Sequence, residues 1–70
     1  MITVKERVTA FLLAQPLRNY CDACMGRALG IDPSTAYRAA TRITRATQFV
    51  REYAVCSECG NSRLVTRAVA

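Results

Sequence analysis

Seventy residues suffice for one domain with only a thin hydrophobic core, so the chain needs a staple beyond apolar packing. Ten basic against five acidic side chains give a formal charge of +5, which suits a polyanionic partner or plain solubility. No stretch approaches the ~18 apolar residues of a membrane span, and no low-complexity tail or sequence repeat is present, so the expectation is a single soluble domain in the cytoplasm.

Thr3 and Glu6 have the spacing of a capping box, and Val4, Val8, Phe11 and Leu12 recur on one helical face until Pro16 ends the run. The pattern predicts a first helix over about Val4 to Gln15. Lys5 and Arg7 ahead of the apolar run Val8 to Ala14 also sketch a secretory leader, but that run is at the lower length limit for one and carries Thr9, so the helix is preferred. A short basic connector, Leu17 to Tyr20, leads to Cys21-Asp-Ala-Cys24, with Asn19 placed to cap the next helix. That second helix is expected from about Cys21 to Leu29, stopping at Gly30, which takes the left-handed conformation that bulkier residues avoid. Asp32-Pro33 reads as N-cap and first helical residue of a third helix, extending to about Thr47.

Beyond it the period becomes two. Phe49, Arg51, Tyr53 and Val55 alternate with Val50, Glu52 and Ala54, and Arg63 to Val69 alternates again, with the turn-rich segment Cys56 to Ser62 between them. The expectation is a β-hairpin whose tip or shoulder carries Cys56-Ser-Glu-Cys59, and an α+β fold for the whole.

The four cysteines fall as two matched pairs with two-residue spacing, which lets both sulfurs of a tight turn face one centre. Gly60-Asn61 after the second pair is the composition of a zinc knuckle. With no histidine in the chain, a four-ligand site uses Cys21, Cys24, Cys56 and Cys59, and Zn²⁺ accepts four thiolates in a tetrahedron. Such a closed site leaves no position for water or substrate, so the ion is expected to be structural; iron in a rubredoxin-like site shares the ligands. Four thiolates and one Zn²⁺ together subtract two charges, leaving about +3. Since 31 residues separate the pairs, the ion would tie the start of the second helix to the hairpin. Two disulfides would require export, and a redox pair at Cys21 and Cys24 would require the surroundings of a thioredoxin-like unit, which are missing. Asp22 and Glu58, inside the cysteine turns, are poor competitors for thiolate positions and are expected at the surface.

Ala36, Ala39, Ala40, Ile43 and Thr47 trace an inward stripe on the third helix, while Arg38, Arg42 and Arg45 recur on the other side. Ser34, Thr35 and Tyr37 add short donors at its start, and arginines contact phosphates or present paired donors to guanine. Charge pattern alone would leave these arginines as a solvated face.

The run Gly26-Arg-Ala-Leu-Gly-Ile-Asp-Pro-Ser-Thr-Ala-Tyr-Arg38 resembles the helix-turn-helix of bacterial repressors and recombinases, with Gly26 where the helices approach and Leu29 and Ile31 flanking Gly30 toward the core. A helix, a helix-turn-helix and a β-hairpin in that order resemble a small zinc-containing winged helix-turn-helix protein over essentially the whole chain. The resemblance implies the helix at about 33–47 in the major groove of double-stranded DNA, and the 49–69 hairpin as a wing offering Arg51, Arg63 and Arg67 to the backbone. Ordinary winged helices lack the cysteine site, and some have an extra strand after the first helix, for which Leu17 to Tyr20 is a brief candidate. A transcriptional regulator is the leading expectation and a protein-docking module the alternative. An enzyme is not expected, since there is no histidine, no phosphate-binding glycine loop and no open metal position.

Overall fold

The computed structural model describes residues 2–69. Three helices and a three-stranded antiparallel sheet run in the order α1 (Val4–Leu13), β1 (Tyr20–Cys21), α2 (Asp22–Leu29), α3 (Pro33–Ile43), β2 (Phe49–Val55) and β3 (Ser62–Ala68). The strands lie in the order β1-β3-β2.

Thr3 caps α1 as its spacing predicts, its Oγ1 accepting the Glu6 amide at 3.1 Å. The helix buries Val8 and Leu12 and ends at Leu13, two residues before the expected Gln15, which sits in the closing turn with its amide on the Leu12 carbonyl. There the Gln15 side chain is held by Phe11 behind it and by Tyr20 ahead, whose hydroxyl donates to Oε1 at 2.6 Å. The Tyr20 ring meets Phe11 edge-on, with centroids 4.8 Å apart.

Asn19 does not cap α2. Cys21 occupies that position without a side-chain bond, and Asn19 instead clamps the hairpin: its Nδ2 donates to the Val55 carbonyl, its amide to Ser57 Oγ, and its carbonyl accepts the Ser57 amide at 2.8 Å. The brief strand after α1 exists, at the end of the expected Leu17–Tyr20 segment and one residue beyond it: Tyr20 pairs with Thr66 and Cys21 with Val65.

Gly30 closes α2 at φ 69°, and both it and Ile31 donate their amides to the Gly26 carbonyl. Gly26 is required by contact, since a Cβ there would stand 2.7 Å from the Ile31 carbonyl oxygen, which is backbone and cannot swing aside. Gly26→Ala gains up to about 1 kcal/mol of helix propensity but overpacks the turn by about 1–3 kcal/mol. With the full propensity gain, the expected net is a loss of roughly 0–2 kcal/mol in urea unfolding of the metal-loaded protein.

α3 buries Ala36, Ala39, Ala40 and Ile43 as expected but stops at Ile43. The Thr44 hydroxyl donates to the Ala40 and Thr41 carbonyls at 3.0 Å, satisfying carbonyls at the helix end and turning the chain. Thr47, expected on the inward stripe, is therefore exposed, and Arg45 lies in the turn after the helix. The hairpin register pairs Phe49 with Ala68 through to Val55 with Ser62. Among the described residues only Leu12, Met25, Val8 and Val65 are large, apolar and fully buried, and alanines and cysteines fill much of the rest of the core. No helix among the described residues is long and apolar enough to cross a membrane.

Candidate metal centre and basic helix face

The antiparallel pairing of β1 with β3 sets the start of α2 beside the hairpin, and this brings the two cysteine pairs together. Cys21 ends β1, Cys24 lies in the first turn of α2, Cys56 comes directly after β2, and Cys59 closes the turn that Gly60 exits at φ 76°. The Cys56 carbonyl accepts the Gly60 amide at 2.9 Å, and its amide donates to the Asn61 carbonyl, so the knuckle is tight.

All four sulfurs lie within 4.8 Å of one another, with Cys21 and Cys59 at 3.9 Å. Tetrahedral metal–sulfur bonds of about 2.3 Å put sulfurs about 3.8 Å apart, so the cluster fits one ion with a small contraction. Three cysteines are buried and Cys59 is exposed, all four as free thiols.

Burial, together with hydrogen bonds to the other three thiols, pushes Cys24 up to about 12. Burial also acts to raise Cys56, but the backbone N–H groups of Cys59, Cys21 and Glu58 outweigh it and bring that thiol down to about 6. The Cys21 amide approaches Cys56 Sγ at 3.4 Å. Metal and proton compete for the same sulfur, and metal-free Cys24 keeps its proton up to a pH of about 12. That thiol alone therefore makes metal affinity fall about tenfold for each pH unit downward, and Cys56 steepens the fall below about 6. Chelator competition across the neutral range reads this slope; a flat profile would contradict it.

Asp22 is not a surface residue. Its carboxylate takes both arms of the Arg51 guanidinium, at 3.0 and 2.8 Å, with side-chain exposures of only 18% and 10%. Arg51 also donates to the buried Thr66 hydroxyl and lies 5.1 Å from the centre of the Tyr37 ring. Arg51 and Tyr37, both expected at a DNA surface, are thus joined in a network linking α2, α3 and the sheet, although Tyr37 keeps half its area exposed. Glu58 is exposed as expected, opposite Arg18 at 3.6 Å.

On a helix turning about 100° per residue, Ser34, Arg38 and Thr41 form the outward ridge of α3, with Thr35 and Arg42 on the flank toward α1 and Tyr37 on the flank toward β2. Arg45 continues the ridge from the turn beyond the helix. Arg38, Arg42 and Arg45 are exposed, and no carboxylate among the described residues pairs with them. Arg63 is exposed near the hairpin turn and pairs across from Ala54, so alternation sets it on the sheet face opposite Arg51. Arg67 shares that face and is bound to Glu52.

Sequence reasoning missed three residues here. Thr41 was available from the helical period. Asp22 and Lys5 were not, because each is defined by elements distant in the chain: Lys5 lines clefts with Arg38 and Arg42 of α3. Comparison with protein families, curated proteins and solved structures finds no match for this chain.

Proposed function

We propose that this protein is a DNA-binding transcriptional regulator of winged helix type, with Zn²⁺ as a structural ion on Cys21, Cys24, Cys56 and Cys59. Zinc is favoured by an all-sulfur set of the right spacing in which three ligands are buried. The ion has no open position and takes part in no reaction; it contributes folding energy. In favour of the fold reading are a short strand after α1, the helix pair that Gly26 brings to close contact, and a terminal hairpin.

The observation that carries DNA binding is the outward side of α3, where Arg38, Arg42 and Arg45 stand exposed without acidic partners. Arg38, on the ridge beside Ser34, is suited to base edges, and Arg42 and Arg45 to phosphates. Tyr37 contributes by covering Arg51, which is committed to Asp22 and so is not a DNA contact. Arg63 remains the hairpin's exposed contact.

Titrating a random duplex pool at increasing salt tests this. About five phosphate contacts give a log-log slope of roughly −4.5, and Arg38→Ala costs about 1–3 kcal/mol of affinity. Binding indifferent to salt and to both Arg38→Ala and Arg42→Ala would overturn the proposal.

One observation favours the protein-docking alternative. β2 is an edge strand that exposes Tyr53 at 82% and Val55 at 56%, an apolar strip with one side of its backbone ladder unpaired. A partner lost on Tyr53→Ser but kept on Arg38→Ala would favour that reading.

A further inference from the structure

We propose that the cleft between the start of α1 and the flank of α3 is a phosphate-binding site that grips the backbone of the nucleic acid, so that Lys5 belongs to the interface. Two adjoining clefts, of about 280 and 780 Å³, share Lys5 and Arg42. The first also has Thr3, Thr35 and Arg38 on its walls, and the second has Arg45. Four cations therefore converge on one concave surface formed by elements about thirty residues apart in sequence.

No carboxylate among the described residues lines either cleft. Asp22, Glu52 and Glu58 are occupied by Arg51, Arg67 and Arg18, Glu6 borders one groove away from the clefts and a second that it shares with Thr3 and Lys5 without lining either cleft, and Asp32 precedes α3. Like charges held together without counter-charges raise the local potential, and a concave surface concentrates it. The chemistry of the walls fits phosphate in particular. Arginine presents a planar fork to two phosphate oxygens, and lysine adds a mobile point charge. Thr3 Oγ1 accepts the Glu6 amide and so keeps its own proton to donate.

This inference rests on the reading of α3 as the nucleic-acid face, since Arg38 and Arg42 serve both, but its distinct content is Lys5 and the phosphate preference of the cleft. The test uses metal-loaded protein, tracking backbone amides by NMR during titration with inorganic pyrophosphate and, separately, with a short duplex. Wild type is compared with Lys5→Gln, Arg42→Gln and, as a control on α2, Arg27→Gln. Expected are shifts of the Lys5 and Thr35 amides with both probes. In parallel binding assays, Lys5→Gln should lower the salt slope by about 0.9, while Arg27→Gln leaves it unchanged. Duplex binding with an unaltered slope in Lys5→Gln would overturn the inference, removing α1 from the interface while leaving α3 in place. Pyrophosphate shifts without duplex binding would overturn the backbone assignment together with the proposed function, and give the cleft to a free phosphorylated molecule. No shift with either probe would overturn phosphate recognition itself.

Discussion

Stripping the metal from the native protein is expected to unfold the entire domain. A chain of this length has a stability of about 4–10 kcal/mol at ordinary values per residue, whereas a structural zinc contributes an apparent ~10–16 kcal/mol. The ion therefore outweighs the margin. The core explains why nothing compensates: its large fully buried apolar side chains are few, and Cys21, Cys24 and Cys56 occupy interior positions that other small domains give to aliphatic groups. Helical circular dichroism and amide dispersion should both collapse on chelation and return with Zn²⁺. Cys56→Ser, at the fully buried ligand, should abolish folding, and Cys59→Ser, at the exposed one, should weaken metal retention with less structural loss. A chelated protein with an intact cooperative transition would contradict this.

Asp22→Ala is expected to be among the most damaging substitutions outside the cysteines. It leaves the Arg51 guanidinium, with 10% of its side chain exposed, without its carboxylate, and a buried charge stripped of its partner costs about 3–5 kcal/mol. At about 4–8 °C per kcal/mol for a domain of this size, melting should fall by tens of degrees. The double substitution Asp22→Leu with Arg51→Met removes both charges and should recover most of the loss, because a well-packed apolar pair avoids the desolvation of the ion pair. Tyr37→Ala should cost only about 0.5–2 kcal/mol, the range of a cation–π contact. Equal losses in the single and double variants would show that the pair's geometry, and not its charge balance, holds α2 to the sheet.

Much of this was legible in the sequence because it is written locally. The cysteine spacing, the Thr3 cap, the left-handed Gly30, the Asp32-Pro33 helix start and the two-residue period of Phe49 to Val55 each act within a few residues, and each appears where expected. Boundaries were harder. α3 stops at Ile43, where the Thr44 hydroxyl bonds carbonyls at the helix end, a terminator that leaves no glycine or proline to read, and Thr47 continues the inward period by coincidence. A two-residue strand such as β1 has no period at all. Asn19 suits a cap by composition but finds its partners in the hairpin, 36 and 38 positions away. The pairing of Asp22 with Arg51 spans 29 positions, and the meeting of Lys5 with Arg42 depends on how α1 packs on α3. Each is a product of tertiary contact, so residue type alone placed Asp22 at the surface and Arg51 on the wing.

That all four sulfurs hold one ion between α2 and the hairpin is tested most directly by X-ray absorption at the zinc edge, on protein purified without added metal. One zinc per chain with a single shell of four sulfurs at about 2.3 Å is the expected result. A well-folded protein with no bound metal, or a shell in which nitrogen or oxygen replaces sulfur, would contradict it.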